Sequence, residues 1–226
     1  MPRALVLQHD ADAPAGLLAE WAAARGWTLE TVRLDLGERA PATLHEYDRV
    51  VSLGSGDAAD DESVAWQAEE RRALARALED DVPVLGICFG GQALALALGG
   101  GVRRAARPEI GCWTEVDTAD PAVVGAGPWF EWHVDEIVAP PGAEILARNA
   151  SGVQAWRLGD HVGLQFHPEV DEEIVVLWTA RSTDPRAPAL PDVRRQTAEL
   201  LPVVRERAFA LFDALIGVPA PTRSSR

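Results

Sequence analysis

The strongest constraint on the fold is an alternation running through the first half of the chain, in which short apolar runs are separated by amphipathic stretches. Leu5-Val6-Leu7 reads as a buried strand, residues 14–25 as a helix ended by Gly26, and residues 28–34 as a second extended run. Arg49-Val50-Val51-Ser52-Leu53 reads as a third strand, leading into the turn Gly54-Ser55-Gly56-Asp57. An acidic stretch then offers caps for a helix over residues 64–80, and Val82-Pro83-Val84-Leu85-Gly86-Ile87 supplies a fourth strand. Residues 93–98 are apolar on all sides, as in a helix packed between a sheet and its neighbours, and Gly99-Gly100-Gly101 stops them.

Between residues 102 and 164 the pattern turns to strand-like runs, among them Thr114-Glu115-Val116, Glu136-Ile137-Val138, 153–157 and 162–166. Strands alternating with helices predict an α/β three-layer sandwich with a largely parallel central sheet. From Val193 onward, Leu200, Val204, Ala208, Leu211 and Leu215 recur at helical spacing, with Pro202 as a kink or break. The expected organisation is one α/β unit over residues 1–185, a helical appendage over 186–217 and a disordered tail over 218–226.

Composition removes several functions. The net charge of −14 repels phosphate polyanions, and no basic cluster exceeds Arg103-Arg104 with Arg107 nearby, so nucleic-acid binding is not expected. No apolar run approaches the roughly twenty residues of a membrane span, and Met1-Pro2-Arg3 leads into a strand rather than a signal peptide. A cytoplasmic location follows, with Cys88 and Cys112 both reduced. Every basic residue is arginine, so neither Schiff-base catalysis nor a phosphate-loop lysine is available.

The chemistry-bearing segment is Gly86-Ile87-Cys88-Phe89-Gly90-Gly91-Gln92, placed where a buried strand ends and a helix begins. A nucleophile at so sharp a turn sits in a strained conformation, and glycines two before and two after it let strand and helix approach closely. The helix N-terminus beyond Cys88 favours a thiolate. As a lone cysteine, Cys88 would read as a small buried hydrophobe; the flanking glycines favour a nucleophile.

A thiol nucleophile needs a base, and His9, His45 and His161 all look peripheral by position. His167 instead follows a strand-like run, and Pro168 stiffens the exit so that Glu169 lies two positions beyond, close enough to fix the imidazole tautomer. His133 with Cys112 and His161 lacks a zinc-like spacing, so no metal is assigned.

Taken together, the elbow over residues 86–92 and Gln165-Phe166-His167-Pro168-Glu169 resemble the class I glutamine amidotransferases. The likeness spans roughly residues 5–180, and Glu109-Ile110-Gly111 and Phe130-Glu131-Trp132-His133 resemble its stand-alone, GMP-synthase-like branch. The resemblance implies a flavodoxin-like fold and a triad of Cys88, His167 and Glu169, without a cofactor. It also implies an oxyanion hole from the amides of Gly54 and Phe89, although Leu53-Gly54-Ser55-Gly56 stands where the family carries two glycines and a proline, leaving Ser55 as the neighbouring candidate. Gln92 matches the residue that holds substrate. Trp132, His133 and Val134 occupy the Ser-His-Gly-Asp-like segment lining bound glutamine, with Trp132 and Val134 departing from that pattern.

The expected activity is hydrolysis of the glutamine side-chain amide through a cysteine thioester, releasing ammonia to an acceptor or a separate synthetase subunit. The oligomeric state stays open. Two alternatives stand beside this one: a γ-glutamyl hydrolase or peptidase using the same thioester, and a noncatalytic binding protein with the same fold.

Overall fold

A computed structural model describes residues 1–217; the tail expected over residues 218–226 lies outside the described residues. The chain begins as the alternation requires, with strand β1 (Arg3–Gln8), helix α1 (Gly16–Arg25) and strand β2 (Thr28–Arg33). Strand β3 (Arg49–Ser52), helix α2 (Gln67–Glu79), strand β4 (Val84–Ile87) and helix α3 (Phe89–Ala97) follow. Successive side chains of β1 go to opposite faces of the sheet, which gives two cores. Ala4 and Val6 pack with Leu18 and Trp21 of α1, whereas Leu5 and Leu7 pack with Ala73, Leu74 and Ala77 of α2.

The second half consists of β5 (Gly101–Thr118), β6 (Gly127–Val138), β7 (Glu144–Asn149), β8 (Gly152–Leu158) and β9 (His161–Leu164), then α4 (Glu172–Arg181) and α5 (Leu190–Leu215). All nine strands join in the order β2-β1-β3-β4-β9-β8-β6-β5-β7.

This arrangement corrects the expectation of a three-layer sandwich around a largely parallel sheet. Only the pairings among β2, β1, β3, β4 and β9 are parallel. The pairings β5 with β6, β5 with β7, β6 with β8, β7 with β8 and β8 with β9 are all antiparallel. Since β5, β6, β8 and β7 pair in a circuit, that half closes into a barrel-like arrangement. The cause is the length of the links: only residues 150–151 separate β7 from β8, and residues 159–160 separate β8 from β9. A parallel return requires a crossover of about a dozen residues or more.

Helix α5 runs through Pro202 without the anticipated break. Val204, Ala208, Leu211, Phe212 and Leu215 enter the same core as α1. Asp213 accepts the Trp21 indole N–H at 2.9 Å and pairs with Arg25 at 2.8 Å. Among the described residues no helix is long and apolar enough to cross a membrane.

Because Phe212 is fully buried against Trp21, truncating it leaves a cavity that the two helices cannot close. We expect Phe212→Ala to lower unfolding stability by about 3–5 kcal/mol in a single urea transition. A separate early transition confined to α5 would show instead that this helix folds as an independent unit.

Candidate active site

The sharp turn between β4 and α3 is held by close backbone contacts. Cys88 lies at φ 50° and ψ −106°, and Asp81 is the only other non-glycine residue with positive φ among those described. Such a conformation is costly for a residue with a Cβ and persists only where its surroundings impose it. Here a Cβ on Gly86 would collide with the Gly90 carbonyl, one on Gly90 with the Ser52 carbonyl, and one on Gly91 with the Leu164 carbonyl. The elbow is thus wedged between β3 and β9, and the Cys88 N–H donates to the Leu164 carbonyl at 2.8 Å.

Cys88 is 5% exposed and lines a cleft of about 280 Å³ with Gln92, Trp132 and Val134. The Gln165 amide donates to its Sγ at 3.7 Å, and Sγ donates to the Trp132 carbonyl at 3.8 Å. His167 is drawn in from the end of β9: its N–H donates to the Phe130 carbonyl of β6 at 2.9 Å, and its ring stands edge-on to Trp178 at 4.9 Å. Nδ1 donates to Glu169 Oε1 at 2.7 Å, with both side chains buried. Burial disfavours a charged imidazole, but Glu169 and the hydrogen-bonded Cys88 outweigh it and hold the His167 pKa well above 6.5. A charged imidazole beside the Cys88 sulfur can transfer a proton to a departing amine.

The other sequence candidates divide. Gly54 lies against both the His167 ring and Cys88: a Cβ there would come within 2.9 Å of His167 Cε1 and 3.9 Å of Cys88 Cβ. Phe89 is the first residue of α3, so its N–H has no partner within the helix. Gln92 spends its amide donors on the carbonyl of Asp135 and on Gln165 Oε1, both at 3.3 Å, which leaves its carbonyl oxygen. Val134 sits in β6 without a positive φ, so this segment follows an extended path rather than a glycine-dependent one.

His133 turns its ring inward. Its Nδ1 donates to the Asp135 carbonyl at 2.9 Å, and Nε2 stands 3.3 Å from both Glu109 and Glu131. Burial opposes its charge, but the two carboxylates facing Nε2 raise its pKa to about 10, while desolvation raises that of Glu131 to about 7. Among the described residues, Glu109, Glu131 and His133 bring donor atoms within 4.8 Å of one another, close enough to hold a cation. A cation bound there would have to displace the proton from Nε2, since a protonated ring nitrogen offers no lone pair.

Position in the sequence misjudged His9. It is 2% exposed, and its Nδ1 lies 3.3 Å from the Gly54 carbonyl. His45 is exposed beside Asp80, and His161 accepts the Val84 N–H at 3.3 Å. As site residues Trp178 and Glu70 also escaped the sequence reading, and Gln165 entered it only as the first residue of the segment around His167.

The fold and this arrangement match known proteins. Residues 16–174 fit the family model described as glutamine amidotransferase class-I, so the protein belongs to the class I glutamine amidotransferase family. It is 50% identical over 99 residues to the glutamine-hydrolyzing GMP synthase of Thermomicrobium roseum, covering 41% of this chain and 19% of that one. It is also 46% identical over 98 residues to a chain of Sulfolobus acidocaldarius named as a subunit of glutamine-hydrolyzing GMP synthase, covering 40% and 52%. The match thus spans about a fifth to a half of these curated relatives. A solved glutamine amidotransferase from Thermotoga maritima shares the fold, with TM-score 0.87 at 24% identity over 96% of this chain and 99% of that one.

The buried cluster supplies a stability test. The folded pKa of Glu131 lies above its ordinary 4.5, so its contribution is full below about pH 4.5 and is lost as pH rises through about 7. Glu131→Gln removes that dependence. In urea melts, the variant should gain on the parent protein between those pH values; a constant difference across the window would contradict the shift.

Proposed function

We propose that the protein hydrolyses the side-chain amide of glutamine and releases ammonia. The carrying observation is the His167–Glu169 pair bonded at 2.7 Å beside Cys88 on its strained elbow. The Cys88 thiolate attacks the amide carbon, and the amides of Phe89 and Gly54 are the candidate donors to the resulting oxyanion. Each such donor is worth about 3 kcal/mol when preorganised. His167 passes its proton to the departing ammonia, leaving a γ-glutamyl thioester. It then takes a proton from the attacking water, and collapse of the second tetrahedral intermediate expels the Cys88 thiolate and yields glutamate, with His167 charged again. Glu169 holds the imidazole in the required tautomer.

The acceptor belongs to a second protein on this reading. Likeness to a chain named as one subunit of GMP synthase supports a synthetase partner. Within the chain, residues 1–185 carry the chemistry, and 186–217 supply the helix that braces α1.

A second reading is favoured by one observation. A cleft of about 390 Å³ on the His167 side, walled by Trp132 and Trp178, has far more room than ammonia needs. It suits a γ-glutamyl amide with a larger amine as leaving group.

Ammonia from glutamine and amine from γ-glutamyl amides, measured for parent and variants, test both. Cys88→Ala should abolish turnover, and Glu169→Gln should lower kcat by roughly 10²–10⁴-fold. Turnover surviving in Cys88→Ala sinks the thioester route; a parent active only on larger amides replaces the first reading with the second.

A further inference from the structure

The carbonyls on both sides of the Gly54 Cα are held from behind. The Leu53 carbonyl accepts the Gly90 N–H at 3.1 Å, which ties the turn to the elbow. The Gly54 carbonyl faces His9 Nδ1 at 3.3 Å. On the far side of the ring, Nε2 stands 3.0 Å from Glu70 Oε2, and Glu70 Oε1 accepts the Ser52 hydroxyl at 2.7 Å. His9, Glu70 and Ser52 are all buried. The ring is clamped as well, stacked on Trp66 at 4.7 Å and packed against Phe89 at 4.9 Å.

A carbonyl only accepts, so this contact requires a hydrogen on Nδ1. Nε2 then meets a carboxyl group, and one further proton lies between them, on the ring or on Glu70. Burying such a pair without function is unfavourable against an apolar replacement, so its position beside the reactive turn carries weight.

We propose that His9, backed by Glu70 and Ser52, is a positioning residue that sets the oxyanion turn for the hydrolysis proposed above. Because a trans peptide directs its N–H opposite its C=O, holding the Gly54 carbonyl turns the Ser55 N–H away from His9. Together with the Gly90 bond to Leu53, this fixes both peptides that flank the Gly54 Cα, one of which carries the Gly54 N–H. The same ring packs on Phe89, the residue bearing the other candidate donor. One side chain therefore sets the separation of the two halves of the cradle, without touching substrate.

The inference rests on the hydrolytic reading, and the experiment separates the two. Parent, His9→Ala and His9→Asn are compared for kcat and KM on glutamine and γ-glutamyl amides. The rate of Cys88 alkylation by iodoacetamide, a displacement that develops no oxyanion, is measured on the same samples. Loss of the hydrogen bond in His9→Ala should lower kcat by roughly 10–100-fold, with KM and alkylation within about threefold of the parent. His9→Asn, whose amide can replace the Nδ1 donor, should recover much of the loss. A parent inactive on every amide overturns the hydrolytic reading and this inference with it. An active parent with an equally active His9→Ala overturns the His9 role alone. So does a joint fall in turnover and alkylation, or a His9→Asn no better than His9→Ala.

Discussion

Three backbone contacts around one turn set the geometry on which the rest of the molecule depends. Gly86 meets Gly90, Gly90 meets Ser52, and Gly91 meets Leu164, each so closely that no Cβ fits between them. These contacts bring β3, β4, β9 and the start of α3 to one point and hold Cys88 at φ 50°. The strain is local, and the parallel strands around it, buried on both faces, provide the packing that sustains it. From that point the remaining parts follow by adjacency. The turn after β3 lies beside Cys88, and the end of β9 delivers His167, whose backbone is caught by Phe130 of the antiparallel half. The barrel-like ring is therefore part of the site rather than an ornament on it.

Three imidazoles surround the elbow, and their partners distinguish their behaviour. His167 has one carboxylate and the Cys88 sulfur, His133 has two carboxylates, and His9 has one carboxylate and a backbone carbonyl. In His133 the two carboxylates share one proton-bearing nitrogen in a buried space, which keeps the ring charged and one carboxyl group close to neutral. Its Nδ1 bond to the Asp135 carbonyl also fixes the strand in which Trp132 and Val134 lie. The cleft wall is thus held by a histidine side chain bonded to its own strand rather than by a glycine-rich loop. His167 differs in facing a single carboxylate, with Glu169 Oε1 hydrogen-bonded to Nδ1 at 2.7 Å.

Much of the candidate site's geometry was legible because it is local in sequence. The glycine spacing around Cys88 and the two-residue step from His167 to Glu169 are short patterns whose physical consequence is fixed by the backbone. His9 was not legible, since it meets Gly54 and Glu70 across 45 and 61 residues of chain. The sheet failed for a different reason. Apolar periodicity locates strands but not their direction, and direction was encoded in the two-residue links at 150–151 and 159–160. Helix α4 had an available signal: Asp171 accepts the Ile174 N–H at 2.8 Å, with Glu172 and Glu173 in the first turn. Strand β7 had a weaker one, because Glu144-Ile145-Leu146-Ala147-Arg148-Asn149 does not alternate and its pairing with β8 shifts register.

The charge of the whole chain bears on where an acceptor could be handled. At −14, its field disfavours approach of phosphate groups, whereas zwitterionic glutamine carries no net charge and is not repelled. The absence of lysine removes the usual point-charge phosphate ligand, and arginines near the clefts are already paired, Arg104 with Asp135 and Arg181 with Asp12. A phosphorylated or nucleotide-activated acceptor therefore has little to bind near Cys88. A larger neutral or cationic amine meets no such obstacle in the cleft beside His167, where Trp132 and Trp178 provide apolar walls and Asp10 adds a carboxyl group. The same electrostatics thus separates the two functional readings: ammonia production favours an acceptor bound elsewhere, whereas release of a larger amine completes the reaction within this chain.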